Sequence, residues 1–228
     1  MKTLILFLFI LTSLSCISES TRVTNPDYPA NASSESSNSK ETLKKEIAMK
    51  KVEDEKTYQT GMLIDAVMAG EIEEVKSILK MSDLDINEKD SNGDTALHLA
   101  TGYQVGPDAK HLKLISEIKI VRLLLTNKAD VNMKNNSEDT PLTIASHYCE
   151  TDMIQLLLDY KANGNLENNE GNNALHYAVY CPLPFVKLLI ENRTPMNKKN
   201  LEGKTPLAIA KEAKNTKVIS YLISKGAW

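Results

Sequence analysis

Aromatic side chains make up only 5% of the 228 residues, with one tryptophan and three phenylalanines. A core must therefore be assembled from aliphatic side chains on many short elements, not around a few large rings. Net charge is small as well, -3 at neutral pH, and gives no reason to expect nucleic acid, whose binders carry a clustered basic face. No apolar run reaches the roughly 20 residues that a membrane-crossing helix needs. Cysteine is scarce, at three residues, and neither Cys-x-x-Cys nor His-x-x-x-His spacing occurs, which removes the common zinc frameworks. A nucleophile elbow, a phosphate loop and a dinucleotide fingerprint are all missing. No enzyme activity, cofactor or metal is expected on these grounds.

What is present starts at the N-terminus. Lys2 precedes an apolar run from Leu4 to Leu11, followed by Thr12-Ser13-Leu14-Ser15-Cys16. A charged start, a short apolar core and small residues before a cleavage point predict a secretory signal over 1–15. Cys16 after Ser15 also resembles the lipobox of bacterial lipoproteins, with Ser13 where such boxes usually carry leucine. That resemblance implies lipidation at Cys16, which would hold the chain at a membrane without a span of its own. Residues 16–40 are rich in Ser, Asn and Glu, contain Pro26 and Pro29, and predict a flexible tether. Residues 41–60 are charged and helix-favouring, with a thin stripe of Leu43, Ile47 and Val52, and read as a surface helix or a disordered charged segment.

The remainder, 61–228, repeats. Thr95-Ala96-Leu97-His98-Leu99-Ala100, Thr140-Pro141-Leu142-Thr143-Ile144-Ala145, Asn173-Ala174-Leu175-His176-Tyr177-Ala178 and Thr205-Pro206-Leu207-Ala208-Ile209-Ala210 open successive units 45, 33 and 32 residues apart. Asn87, Asn132, Asn165 and Asn197 close them at the same 45, 33 and 32 spacings. Two landmarks in one register, with a period near 33, predict a solenoid. Threonine is a favoured N-cap, and proline behind it at the first helical position forfeits no hydrogen bond. A second helix follows each opening, with apolar groups such as Phe185/Val186/Leu189 at the spacing of one buried stripe. Gly93, Gly171 and Gly203, two residues before each opening, suit turns needing positive φ. Glu138 takes that place once and should strain or reshape its turn.

These motifs, with Ala129-Asp130-Val131-Asn132 after a helix ending Leu124-Leu125, resemble the ankyrin repeat from Gly61 to Trp228. The resemblance implies an all-α solenoid of about five helix-turn-helix repeats, with hairpin fingers and a concave groove, and expects a monomer. The first repeat is degenerate and the last stops at Trp228. Departures are an insertion around 102–113 containing Gly106-Pro107, Cys149 and Pro182 near first-helix ends, and one deletion in the fourth repeat.

His147, Cys149, His176 and Cys181 are the one cluster with metal-ligand types, but His98 and His176 occupy a motif position that the resemblance makes structural. Cys149 and Cys181 fall in equivalent turns offset by one residue. Stacked helices lie about 9–10 Å apart, beyond disulfide reach. Pro182 and the deletion could draw the turns together, and an exported protein favours pairing, so a bridge and buried free thiols both stay open.

Binding is the positive expectation. Partner-contact candidates are the finger tips Asp90, Ser91, Asn92; Asn135, Asn136, Ser137; Asn168, Asn169, Glu170; and Asn200, Leu201, Glu202. Tyr103, Tyr148 and Tyr180, near first-helix ends, join them, since tyrosine is favoured in contacts. Charges on the first three fingers are net acidic, while Lys198, Lys199 and Lys204 against Glu202 make the last one basic, a polarity that would orient a polar partner. The expected function is non-enzymatic recognition of a protein partner in the cell envelope, periplasm or secreted space. The alternative is an accessory protein that stabilises, inhibits or protects an enzyme there.

Overall fold

Threonine and asparagine caps set the starts of the inner helices in the computed structural model, which describes residues 61–102 and 110–228 together with Lys45 and Met49. Lys45 and Met49 are helical. The rest of 41–60, the signal, the tether, Cys16, Tyr103 and most of the inserted loop lie outside the described residues.

Residues 61–69 are helical and end at Gly70, whose φ is +75°. Nine further helices follow among the described residues: α1 (Ile72–Ile78), α2 (Ala96–Gly102), α3 (Lys110–Thr126), α4 (Pro141–Tyr148), α5 (Thr151–Asp159), α6 (Ala174–Ala178), α7 (Leu183–Glu191), α8 (Pro206–Glu212) and α9 (Thr216–Ser224). Thr140 caps α4 by accepting from the Thr143 N–H, while the Thr143 hydroxyl accepts from the Thr140 N–H. Asn173 accepts from the N–H groups of Leu175 and His176 at the start of α6, and Thr205 accepts from Ala208 at α8. Each cap satisfies donors that a helix start leaves open, worth about 1 kcal/mol apiece.

The elements form two layers. α2, α4, α6 and α8 pack in sequence as the inner row, and α1, α3, α5, α7 and α9 stack in the same order behind them. Leu97, Leu142, Leu175 and Leu207, with Ala100, Ala145, Ala178 and Ala210, are buried and join the rows. The small alanines let neighbouring helices approach, and the leucines fill the space between layers. The outer stripe is buried as its spacing predicts: Met153, Ile154 and Leu157 on α5, Phe185, Val186 and Leu189 on α7, Val218 and Leu222 on α9.

A second ladder ties the repeats behind the fingers. The Asn87 and Asn132 side-chain oxygens accept the N–H groups of Asp130 and Asn163 at 2.7 and 2.8 Å. Asn197 does the same for Trp228 at 3.2 Å. Asn165 meets Pro195 in this register, and proline has no N–H to give.

Between layers, the fingers are tight turns without strands among the described residues. Gly93, Gly171 and Gly203 have φ of +76°, +74° and +75°, and Glu138 takes the same left-handed conformation at +60°. A Cβ on Gly171 would stand 2.9 Å from the Leu201 backbone nitrogen, whereas one on Gly203 would meet nothing within 4 Å. The pair therefore separates backbone strain from crowding. We expect Gly203→Ala to cost about 1–2 kcal/mol from its left-handed backbone alone, and Gly171→Ala to cost more. Urea unfolding of both variants measures the difference; equal losses would remove the crowding contribution.

Candidate binding site

Each finger is built on one Asx residue. The Asp90 carboxylate accepts the N–H groups of Asn92 and Asp94, both at 2.8 Å. Asn135 accepts those of Ser137 and Asp139, Asn168 those of Glu170 and Asn172, and Asn200 those of Glu202 and Lys204. The same amides reach back to the preceding finger: Asn135 Nδ2 donates to Asp94 Oδ1 at 2.8 Å, Asn168 to Asp139 at 2.9 Å, and Asn200 to Asn172 at 2.9 Å. Backbone bonds run parallel to this row, from Asn136 N–H to Asn92, Asn169 N–H to Ser137, and Leu201 N–H to Glu170.

These bonds sort the tip residues. Asp90, Asn135, Asn168 and Asn200 are half-buried turn heads whose polar atoms hold the finger row. Asn136 and Asn169 are exposed, yet their amides donate to the Ser91 and Asn136 carbonyls of the finger before. Ser91, Asn92, Ser137, Glu170, Leu201 and Glu202 remain exposed at the tips, Leu201 at 80%. Tyr180 is also exposed and Tyr148 partly so. The basic character of the last finger is largely spent: Lys204 pairs with Glu202 and Glu212 at 3.0 and 2.9 Å, and Lys198 pairs with Glu167 at 2.9 Å.

The finger bases and inner helices α2, α4 and α6 line an open cleft of about 530 Å³. Asp94, Asp139 and Glu170 line it from three successive fingers, and His147, Tyr148 and Tyr177 form its ring-bearing wall. His147 packs edge-on against Tyr148 and Tyr177, with centroids 5.3 and 5.5 Å apart. The Tyr177 hydroxyl accepts from Asn168 Nδ2 at 2.7 Å and donates to Glu170 Oε2 at 3.4 Å. Burial pushes its phenol above the ordinary range, partly offset by the hydrogen bonds of Asn172 and Asn168.

Two buried histidines sit at the third position of their helices. The Thr95 N–H donates to His98 Nδ1 at 3.1 Å, and His98 Nε2 bonds the Asp139 carbonyl at 3.1 Å, linking one repeat to the next. His176 keeps the local half of this pattern with Asn173, but its buried Nε2 makes no hydrogen bond. Burial lowers both imidazoles, and the hydrogen bond to the Asp139 backbone opposes this at His98. The folded state thus resists a proton that the unfolded chain accepts. Stability from these groups is complete above about pH 6.5, the ordinary histidine value, and is lost as pH falls through the lowered folded values. A urea midpoint that drops between pH 7 and 5, and drops less in His176→Gln, is the expected result.

Cys149 and Cys181 are joined by a disulfide with Cα atoms 5.5 Å apart. The helix-spacing objection does not apply, because the two are not equivalent points. Cys149 is the left-handed cap of α4, at φ +62°, whereas Cys181 lies beyond the α6 cap Val179, on the turn into α7. The Asn215 amide holds that turn through the Val179 and Cys181 carbonyls at 3.0 and 3.2 Å. With both sulfurs bonded to each other, neither is a thiolate, and no group of three or more metal-ligand residues occurs among the described residues.

Comparison with known proteins now bears on the arrangement. Family models described as ankyrin repeats match residues 63–103 and 112–200, together more than half of the chain. The chain is an ankyrin-repeat protein. Its ankyrin repeats are similar to those of inversin from dog and from human, each 29% identical over 175 residues and covering 75% of this chain. The chain spans about 15% of the length of those relatives. Ankyrin repeats as a class mediate protein–protein interaction, and they are typically non-enzymatic. Against that background the cleft residues Asp94, Asp139, His147 and Tyr177 are among those that sequence reasoning did not single out as contacts. Asp94 and Asp139 each stand one residue before a repeat opening, 45 residues apart, and that shared register was the available signal.

Proposed function

We propose that this ankyrin-repeat protein is exported by the signal at 1–15, held at a membrane surface by lipid on Cys16, and binds a protein partner through the groove of fingers and inner helices. The hydrogen-bonded finger row carries the binding half of this reading. Four turns locked to one another present exposed tips over a cleft, so a partner meets a surface that is already ordered, which lowers the entropic cost of association. The Cys149–Cys181 bridge supports the export half, since such bonds persist in oxidising compartments and are rare in the cytosol. No catalytic role is assigned to the chain.

Fractionation of cells expressing the full chain and its Cys16→Ser variant tests the anchor. The wild-type protein should partition with membranes and the variant should appear in the soluble exported fraction. An identical distribution of both would remove lipidation from the account.

A further inference from the structure

We propose that the cleft seats the side chain of an arginine carried on an extended segment of the partner; this deepens the groove reading above and rests on it. Carboxylates alone would be an ordinary acidic surface. Here three of them, Asp94, Asp139 and Glu170, come from successive repeats and border an open cleft of about 530 Å³, within the roughly 300–1,000 Å³ of ligand sites. His147, Tyr148 and Tyr177 give that volume an aromatic wall.

The carboxylates are held without being neutralised. One oxygen of each accepts from an uncharged amide: Asp94 from Asn135 at 2.8 Å, Asp139 from Asn168 at 2.9 Å, and Glu170 from Asn172 at 2.9 Å. These bonds orient the groups and leave their charge in place. Three finger lysines are paired with other carboxylates, Lys134 with Glu138, Lys198 with Glu167, and Lys204 with Glu202 and Glu212, while Lys89 donates to the Lys134 carbonyl at 2.6 Å. Among the described residues no lysine or arginine lines the cleft. A cation from outside therefore meets three oriented negative charges in a cleft, whose walls focus the field more than a flat surface would.

Geometry selects arginine among cations. A planar guanidinium stacks on aromatic faces and bonds carboxylates through paired N–H groups, whereas an ammonium is a compact, strongly hydrated point charge. Tyrosine rings add a cation–π attraction that grows as water is excluded.

The test uses the full-length protein with fluorescein-labelled Ala-Ala-Arg-Ala-Ala and its lysine and glutamine counterparts, read by fluorescence anisotropy. The arginine peptide should bind saturably and several-fold more tightly than the lysine one, with the glutamine peptide failing to bind. Asp139→Asn with Glu170→Gln should weaken arginine binding at least tenfold at an unchanged urea midpoint, because amide oxygens still accept the Asn168 and Asn172 donors. Glu170→Gln alone, at an exposed position, gives a second variant that leaves the fold intact and should weaken binding several-fold. Equal binding of the arginine and glutamine peptides, or undiminished binding by these variants, would overturn the proposal. A partner that cross-links to the finger tips equally well in the double variant would also sink the arginine site while leaving groove binding standing. Failure of groove binding itself shows differently, as a partner indifferent to charge reversal of the finger tips.

Discussion

Replacing Cys149 and Cys181 together by alanine should lower the free energy of unfolding by about 3–4 kcal/mol, the loop-closure value for a bridge of this span. The bonded residues are 32 apart, and the loop they close contains all of α5 and α6. In the unfolded chain the bridge forbids most conformations of that segment. In the folded chain it clamps the cap of α4 to the turn that leads into α7. Urea denaturation of the oxidised protein, the reduced protein and the double variant separates the contributions. Reduction keeps the sulfur volume at the buried Cys181, so a similar loss in both experiments assigns the effect to the crosslink and not to packing. The reduced form should also show a steeper denaturant dependence, because its unfolded state exposes more surface. A loss below about 1 kcal/mol, under a third of the loop-closure value, would mean the bridge contributes little to the fold.

Leu157→Ala should cost about 2–5 kcal/mol, the range for deleting a buried leucine side chain. Leu157 is fully buried on α5, and α5 stands between α3 and α7 in the outer row. In a solenoid each repeat is stabilised mainly by its neighbours, so a cavity in a central repeat weakens two interfaces at once. Differential scanning calorimetry should show a broadened transition with the bridge intact, and two separate transitions after reduction. The disulfide explains the difference, since it ties the repeat that holds the cavity to the one that follows it. The two losses will therefore not add. One sharp transition in the reduced variant would contradict a stack held by nearest-neighbour contacts.

The layers were legible because the residues that build them act locally. A threonine cap and the proline behind it act within one turn, and a glycine at positive φ reports its own backbone. Leucine and alanine at fixed offsets reappear in every copy, so Leu97, Leu142, Leu175 and Leu207 could be placed in the core from spacing alone. Even Glu138, where the glycine pattern breaks, keeps the left-handed backbone that the pattern requires.

The site was less legible because it is made across repeats. Asp94, Asp139 and Glu170 meet in one cleft although they belong to three different copies. The scaffold role of the tip asparagines was hidden for a related reason. Asparagine at a turn serves a ligand or its own backbone equally well by composition, and the bonds that Asn135, Asn168 and Asn200 accept from the following N–H groups appear only in the fold. The disulfide is not legible from helix spacing, because Cys149 caps α4 and Cys181 lies on the turn into α7, where the chain has already left the helices. His176 departs in the opposite sense: its motif position implied a bond to the next repeat, and its Nε2 makes none.

Photo-crosslinking tests the central claim most directly. A photoreactive amino acid is placed at Ser137 on the finger tips or at Lys217 on the outer helix α9, and the full-length protein is irradiated in the cells that express it. The account predicts a discrete adduct from Ser137, none from Lys217, and loss of the Ser137 adduct when Glu138, Glu170 and Glu202 are changed to lysine in a chain that still folds. An adduct formed equally from both positions, or one untouched by the charge reversal, would contradict partner binding through the finger groove.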